Sequence, residues 1–411
     1  MLRLSLQSLW NRRFAAALTT LAIALSVALI LGVERLRTEA RAGFSNAASG
    51  IDLVVAARGN DVQILLATVL GTGGTGSGIR WDSYQMVADL PQVAWSVPIM
   101  MGDNHRGFPV VGTTADYFDR FRHSGGQALE FRQGGGFSSP TGAVIGSEVA
   151  DAFGYATGTQ IVNAHGAGSA SIELHDETPF TVVGLLAPTG TAVDRMVFVT
   201  LEGFDAIHAR GAPRALDPLT PPVQASAPET INAAYVGLTD RAAVLTVQRA
   251  IFDYPGEALS AVMPNVALLQ LWEITGTAET ALRLMASAVA VAGLIGMVVM
   301  LSAALDGRRR EFAILRSVGA TPANIFVMII IEAVLLLSAG VVLGYLLMTV
   351  GIMFAEPILA ERFGLRLGAE IPSVRELALV GAVFAAGLGA SVLPAARVYR
   401  MTVADGMAVR L

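Results

Sequence analysis

The chain has 411 residues, 53% of them hydrophobic and 15% charged, a balance that assigns much of it to lipid rather than water. A net charge of -5 without a long basic block excludes nucleic-acid binding, and the absence of cysteine excludes disulfides and thiolate metal sites. All 28 basic residues are arginine, so a phosphate-binding P-loop lysine and a Schiff-base lysine are excluded, and energy from ATP has to come from another chain.

The first segment, residues 1–13, places Leu2, Leu6, Leu9 and Trp10 at helical spacing beside Arg3, Arg12 and Arg13. This suits a short helix lying in the cytoplasmic interface, the alternative being an ordinary start to the next helix. Residues 14–33 form the first of four apolar runs that reach about 20 residues, the length that crosses roughly 30 Å of hydrocarbon. Its length and the lack of a small-x-small cleavage site make it a retained anchor.

Residues 34–280 form a large extracytoplasmic α+β domain with room for two lobes. Strand signals stand at Ile51–Ala56, Val93–Met100, Phe108–Gly112, Ala143–Gly146, Phe180–Leu186, Met196–Thr200 and Ala233–Leu238. Helical patches at Ser83–Leu90, Ser147–Phe153 and Arg241–Phe252 are interleaved with them. Arg35–Ala48 and Val266–Arg283 read as outward extensions of the first two spans, a helical stalk. The glycine run Gly71–Gly78 and the Pro/Ala-rich Arg210–Glu229 read as loops.

The remaining spans are 284–305, 325–354 and 377–396, with a cytoplasmic helix at 306–320, an extracytoplasmic loop at 355–376 and a tail at 397–411. Arginine counting orients them, because positive flanks stay in the cytoplasm. Arg3, Arg12 and Arg13, then Arg308, Arg309, Arg310 and Arg316, then Arg397, Arg400 and Arg410 share one side only if four helices cross. Both termini are then cytoplasmic.

Residues Asp306–Ala320 read Asp-Gly-Arg-Arg-Arg-Glu-Phe-Ala-Ile-Leu-Arg-Ser-Val-Gly-Ala, followed by Thr321-Pro322. The block makes a short amphipathic helix with Phe312, Ile314, Leu315 and Val318 available for packing. Gly319 stops it, and Thr321 and Pro322 restart the next helix as N-cap and first residue. The motif resembles the signature of FtsX-like and MacB-like (type VII) ABC transporter permeases. Leu9-Trp-Asn-Arg-Arg, the Ile331–Leu337 run and Leu393–Arg400 are similar to the same framework. Ala143–Ala150 and Phe180–Leu186 are similar to segments of MacB-type periplasmic core domains.

The resemblance implies a non-catalytic permease subunit of a bacterial cytoplasmic (inner) membrane, with no intrinsic cofactor. Its partners would be a cytoplasmic ABC ATPase that binds the ATP, a second permease copy or paralogue, membrane lipids, and a periplasmic or outer-membrane protein. ATPase coupling would fall on Arg308, Arg309, Arg310, Glu311, Arg316 and Gly319, driving movement of the outer domain to export or extract an envelope substrate. An FtsX-like regulator of an envelope protein and a metal-linked membrane receptor are the alternatives.

Three further features carry expectations. Glu332 lies inside the third span, where an uncompensated carboxylate costs several kcal/mol, so it is expected to pair with an arginine of the coupling segment or to stay protonated, a proton or substrate relay being the alternative. Gly293, Gly296, Gly340 and Gly344 recur at three- or four-residue spacing and favour close helix packing, within the chain or across a dimer. All five histidines fall in the outer domain. His165, His175, Asp176, Asp194 and His208 supply ligand types that suit zinc, without compact ligand spacing; scattered surface histidines are the plainer reading.

Overall fold

Helix α1 (Leu2–Asn11) and helix α2 (Arg13–Ala47) are separated by Arg12 alone in the computed structural model. It describes residues 2–74, 76–165, 173–174, 179–208, 227–363 and 372–397. Six short helices follow: α3 (Asp61–Thr68), α4 (Trp81–Ala88), α5 (Asp116–Arg120), α6 (Ser147–Phe153), α7 (Leu201–His208) and α8 (Val244–Phe252). Four helices close the chain: α9 (Pro264–Gly307), α10 (Arg309–Ser317), α11 (Pro322–Phe363) and α12 (Val374–Arg397). Helices α2, α9, α11 and α12 are long and apolar enough to cross a membrane.

The chain divides into two units, one of residues 1–39 and 276–411 and one of residues 40–275. In the first unit, packing of the long helices depends on small residues. A side chain on Gly340 would meet Ile23 Cγ2 at 2.5 Å, and one on Gly344 would meet the Ala24 carbonyl at 2.7 Å. Gly293 faces α2 as well, where Ser26 Oγ donates to the Val289 carbonyl at 3.1 Å. These three glycines therefore serve packing inside one chain, whereas Gly296 faces open space. Ile23, Val27, Leu31, Met297, Leu301 and Leu337 fill the core beside them.

The stretch 355–376, expected as a loop, is helical up to Phe363 as the end of α11. Good helix formers such as Leu359, Ala360 and Glu361 continue the pattern past the apolar run.

The second unit is built on strands β1 (Leu53–Ala57), β2 (Val93–His105), β3 (Phe108–Thr113), β4 (Phe131–Gly134), β5 (Gly142–Ile145), β6 (Phe180–Leu186), β7 (Val197–Thr200), β8 (Ala233–Leu238) and β9 (Leu259–Val262). They run in the spatial order β9-β1-β8-β2-β3-β7-β5-β6-β4, and three two-residue strands attached to the path complete a 12-stranded sheet. The sheet is mixed: β5 with β6 and β3 with β7 are parallel, and the other pairs on the path are antiparallel. One continuous sheet takes the place of two lobes.

Period-two alternation feeds two apolar layers. Val54, Ala56, Phe198 and Tyr235 enter one, while Leu53, Val55, Val197, Val199 and Val236 enter the other. Burial on both faces explains why these strands read as unbroken apolar runs. The first layer holds an aromatic cluster in which Tyr117 stacks on Phe121 at 5.1 Å and meets Phe198 at 4.9 Å.

Candidate functional site

The α9–α10–α11 connection begins at Arg308, where the guanidinium is 12% exposed and reaches three elements. Its Nη1 donates to Ser8 Oγ of α1 at 2.7 Å and to Glu332 Oε1 of α11 at 3.0 Å. Its Nε donates to Glu311 Oε2 of α10 at 2.7 Å, and its plane lies over the Phe312 ring at 4.9 Å. Arginine suits this position because its fixed fork of five donors satisfies several acceptors at once. Glu332, 4% exposed, thus has the charge partner that its depth requires.

Arg12 makes a second link. Its Nη2 donates at 3.0 Å to the carbonyl of Ala304, one of the last four α9 carbonyls that lack an intrahelical partner. A cation there also complements the negative end of the helix dipole. Ser5, fully buried, donates to the Met328 carbonyl at 3.4 Å and holds α1 against α11.

Helix α10 has two distinct faces. Phe312 and Ala313 are buried, and Phe312 packs with Leu305, Ile325, Met328, Ile329 and Ala395. Ile314 and Val318, read from the sequence as available for packing, are 56% and 83% exposed. Their spacing of four aligns them with Arg310, also exposed, on the face turned away from Phe312. Glu311 adds a carboxylate in the first turn, where it complements the helix dipole. Arg316 is half-buried. Arg309 contributes the first helical residue.

The stop after α10 is a Schellman motif. Gly319 N donates to Arg316 O at 3.1 Å, Ala320 N donates to Leu315 O at 2.9 Å, and Gly319 adopts φ +100°. Thr321 Oγ1 then accepts from Asn324 N at 3.3 Å and caps α11. The joint between α10 and α11 is therefore only a few residues long and held by hydrogen bonds on both sides.

At the other end of the same unit lies an ion-pair network that sequence reasoning did not single out. Glu34 joins Arg283 at 2.8 Å and Arg37 at 3.4 Å, and Arg37 Nε donates to Glu279 at 2.6 Å. Arg35 reaches Glu376 at 3.5 Å, and Glu376 also accepts from Ser373 N at 2.7 Å. Ser373 Oγ accepts in return from Glu376 N, completing a capping box at the start of α12. The Ser-x-x-Glu spacing before an apolar run was the legible signal for this part. The cross-helix pairs had none.

Of the residues that supply zinc-type ligands, only Asp194 and His208 have described side chains. Among the described residues no group of three or more His, Asp or Glu is placed to hold one. His175 and Asp176 lie outside the described residues, and of His165 only the strand backbone is described. Asp194 is buried and accepts from Thr189 N and Gly190 N, both at 2.8 Å.

His208 Nε2 donates to Asp103 at 3.1 Å and its Nδ1 to the Phe204 carbonyl at 2.8 Å, a pattern that uses both ring nitrogens as donors. Burial works against charge on His208, and these hydrogen bonds outweigh it, so its pKa is raised. His105 shows the opposite balance. Burial lowers its pKa, with Nδ1 at 2.9 Å from the Val162 carbonyl and Nε2 at 2.8 Å from Tyr155 OH.

A MacB-like periplasmic core domain model matches residues 16–254, and an FtsX-like permease C-terminal model matches residues 283–403. Among solved structures, the extracellular domain of the noncanonic ABC-type transporter YknZ from Gram-positive bacteria is 13% identical, with TM-score 0.32, covering 51% of this chain and 98% of that one. The periplasmic region of MacB from Actinobacillus actinomycetemcomitans is 11% identical, with TM-score 0.34, covering 55% and 94%. No protein of curated function matches significantly. With two family models meeting four membrane-length helices and a mixed-sheet domain, the chain belongs to the MacB/FtsX-like family of ABC transporter permeases, multi-pass proteins of bacterial membranes.

Proposed function

We propose that the chain couples ATP hydrolysis by a separate cytoplasmic ATPase to movement of its extracytoplasmic domain, acting on an envelope substrate without chemistry of its own. The exposed face of α10, with Arg310, Glu311, Ile314 and Val318, is the ATPase contact. Both termini and α10 lie on the cytoplasmic side, in line with the arginine distribution.

The observation that supports this reading is the junction around Arg308. A helix clamped at its start to α1 and α11, and joined to α11 by a short hydrogen-bonded turn, passes a push onward instead of absorbing it. Helices α2 and α9 carry residues of both units, so displacement of the spans has a covalent route outward. Two copies, or one copy and a paralogue, would pair around two ATPases, and a periplasmic or outer-membrane protein would meet the outer domain.

The test is co-purification with the ATPase encoded beside it, comparing wild type with Ile314→Asp/Val318→Asp. Loss of the complex by at least about tenfold in affinity, with loss of stimulated ATP turnover, is the expected result. Retention of the complex would remove α10 as the contact, and no complex with wild type would remove the reading.

A further inference from the structure

Between α2, α9 and α12, within the first unit, lies a cavity of about 570 Å³, within the size range of small-molecule sites. Arg37, Arg283 and Arg375, one from each helix, line it together with Glu34. Glu34 is the one carboxylate among the described lining residues and Glu279 pairs with Arg37 from outside the lining, which leaves positive charge in excess on the cavity wall. Among the described residues no carboxylate pairs with Arg375, which is exposed, and the Arg283 side chain is 47% exposed. The neighbouring Glu376 is engaged by Arg35 and Ser373.

The lining is ordered by depth in the same sense on all three helices. Val33 precedes Arg37 by one turn, and α2 runs away from the arginines at its start. Leu379 follows Arg375 by one turn, and Ala286 follows Arg283, on helices that run back toward that side. In each case the apolar residue lies toward the hydrocarbon and the arginine one turn beyond it. From Arg13 to Val33 the helix rises about 30 Å, one hydrocarbon thickness. The arginines therefore stand at the headgroup level of the leaflet opposite Arg12 and Arg13, with an apolar wall beneath them.

We infer that this cavity binds an anionic glycerophospholipid from that leaflet. Arg283 and Arg375 hold its phosphate, Arg37 adds charge from behind, and Val33 and Leu379 contact the start of an acyl chain. Planar guanidinium groups suit bidentate recognition of phosphate oxygens, and a neighbouring apolar wall separates a lipid from a free anion. The site depends on membrane crossing and not on ATPase coupling, so the two readings fail separately.

The test uses the full chain in detergent, stripped of co-purified lipid and then supplied with phosphatidylglycerol or phosphatidylcholine, with retained lipid read by native mass spectrometry. Wild type is expected to retain phosphatidylglycerol at least about fivefold better than phosphatidylcholine. Arg375→Gln, which removes no ion pair seen among the described residues, should reduce that retention about fivefold with an unchanged melting midpoint. Leu379→Trp should also reduce it, by filling the apolar part while leaving the arginines in place. Equal retention by wild type and both variants would overturn the proposal. Displacement of the lipid by millimolar inorganic phosphate would overturn it as well, in favour of a free-anion site.

Discussion

Glu332 and Arg308 illustrate how one buried pair both constrains and joins a membrane protein. Removing a single partner leaves an uncompensated buried charge, a loss of about 3–5 kcal/mol, whereas replacing both by apolar residues of similar volume is often near neutral. Arg308→Ala is therefore expected to lower the melting temperature in detergent strongly, and Arg308→Met/Glu332→Leu to recover most of the loss. If the double replacement melts as low as the single one, the links to Ser8 and Glu311 dominate and the pair is secondary. The need for a partner was legible from Glu332 alone. That the partner is Arg308 rather than Arg310 was not, because the choice depends on where α10 begins.

The two outer-domain histidines act in opposite directions with pH. His208 has a raised pKa in the folded state, so its contribution is complete below the ordinary histidine value near 6.5 and fades as pH rises through the higher folded value. His105 has a lowered pKa, so acid destabilises the fold as protons are taken up preferentially by the unfolded chain. Melting curves between pH 5 and 8 should show His208→Gln removing a loss of stability on the alkaline side and His105→Gln removing one on the acid side. Identical pH profiles for the two variants would contradict the assignment.

At the scale of elements, α10 and the glycine-lined contact between α2 and α11 make separate predictions. Gly340→Val drives a side chain into Ile23 and should cost about 1–3 kcal/mol of stability, while Gly296→Val meets open space and should be neutral in an isolated chain. Chemical denaturation in detergent separates the two. A large effect at Gly296 would mean that a second copy covers that face. The end of α10 was readable from Gly319 and the start of α11 from Thr321-Pro322, since backbone conformation at a helix stop is a local property. Which of its apolar residues face inward was not. Phe312 and Ile314 are equally apolar, and only the positions of Leu305, Met328 and Ile329 select Phe312.

For the whole molecule, the central strands carry the stability of the outer unit. Phe198 is fully buried among Tyr117, Phe118 and Val111, and Phe198→Ala should cost about 3–5 kcal/mol. Amide exchange is expected to accelerate throughout the sheet and much less in α11, α12 and the parts of α2 and α9 that belong to the other unit. Equal acceleration in both would show that the two units unfold as one.

The sequence by itself determined the number of membrane helices, seven of the nine main strands and the site of α10, because hydropathy, period-two patterns and helix stops are written over short stretches of chain. Strands β4 and β9 escaped notice, since Phe-Arg-Gln-Gly and Leu-Ser-Ala-Val carry little β signal and gain their conformation from pairing with β6 and β1. Only the tertiary structure decided that the sheet is continuous, that Arg308 joins three helices, and that Arg37, Arg283 and Arg375 surround one cavity. Those groups lie up to about 340 residues apart in the chain, and helix and strand periodicity says nothing about which distant face a residue will meet.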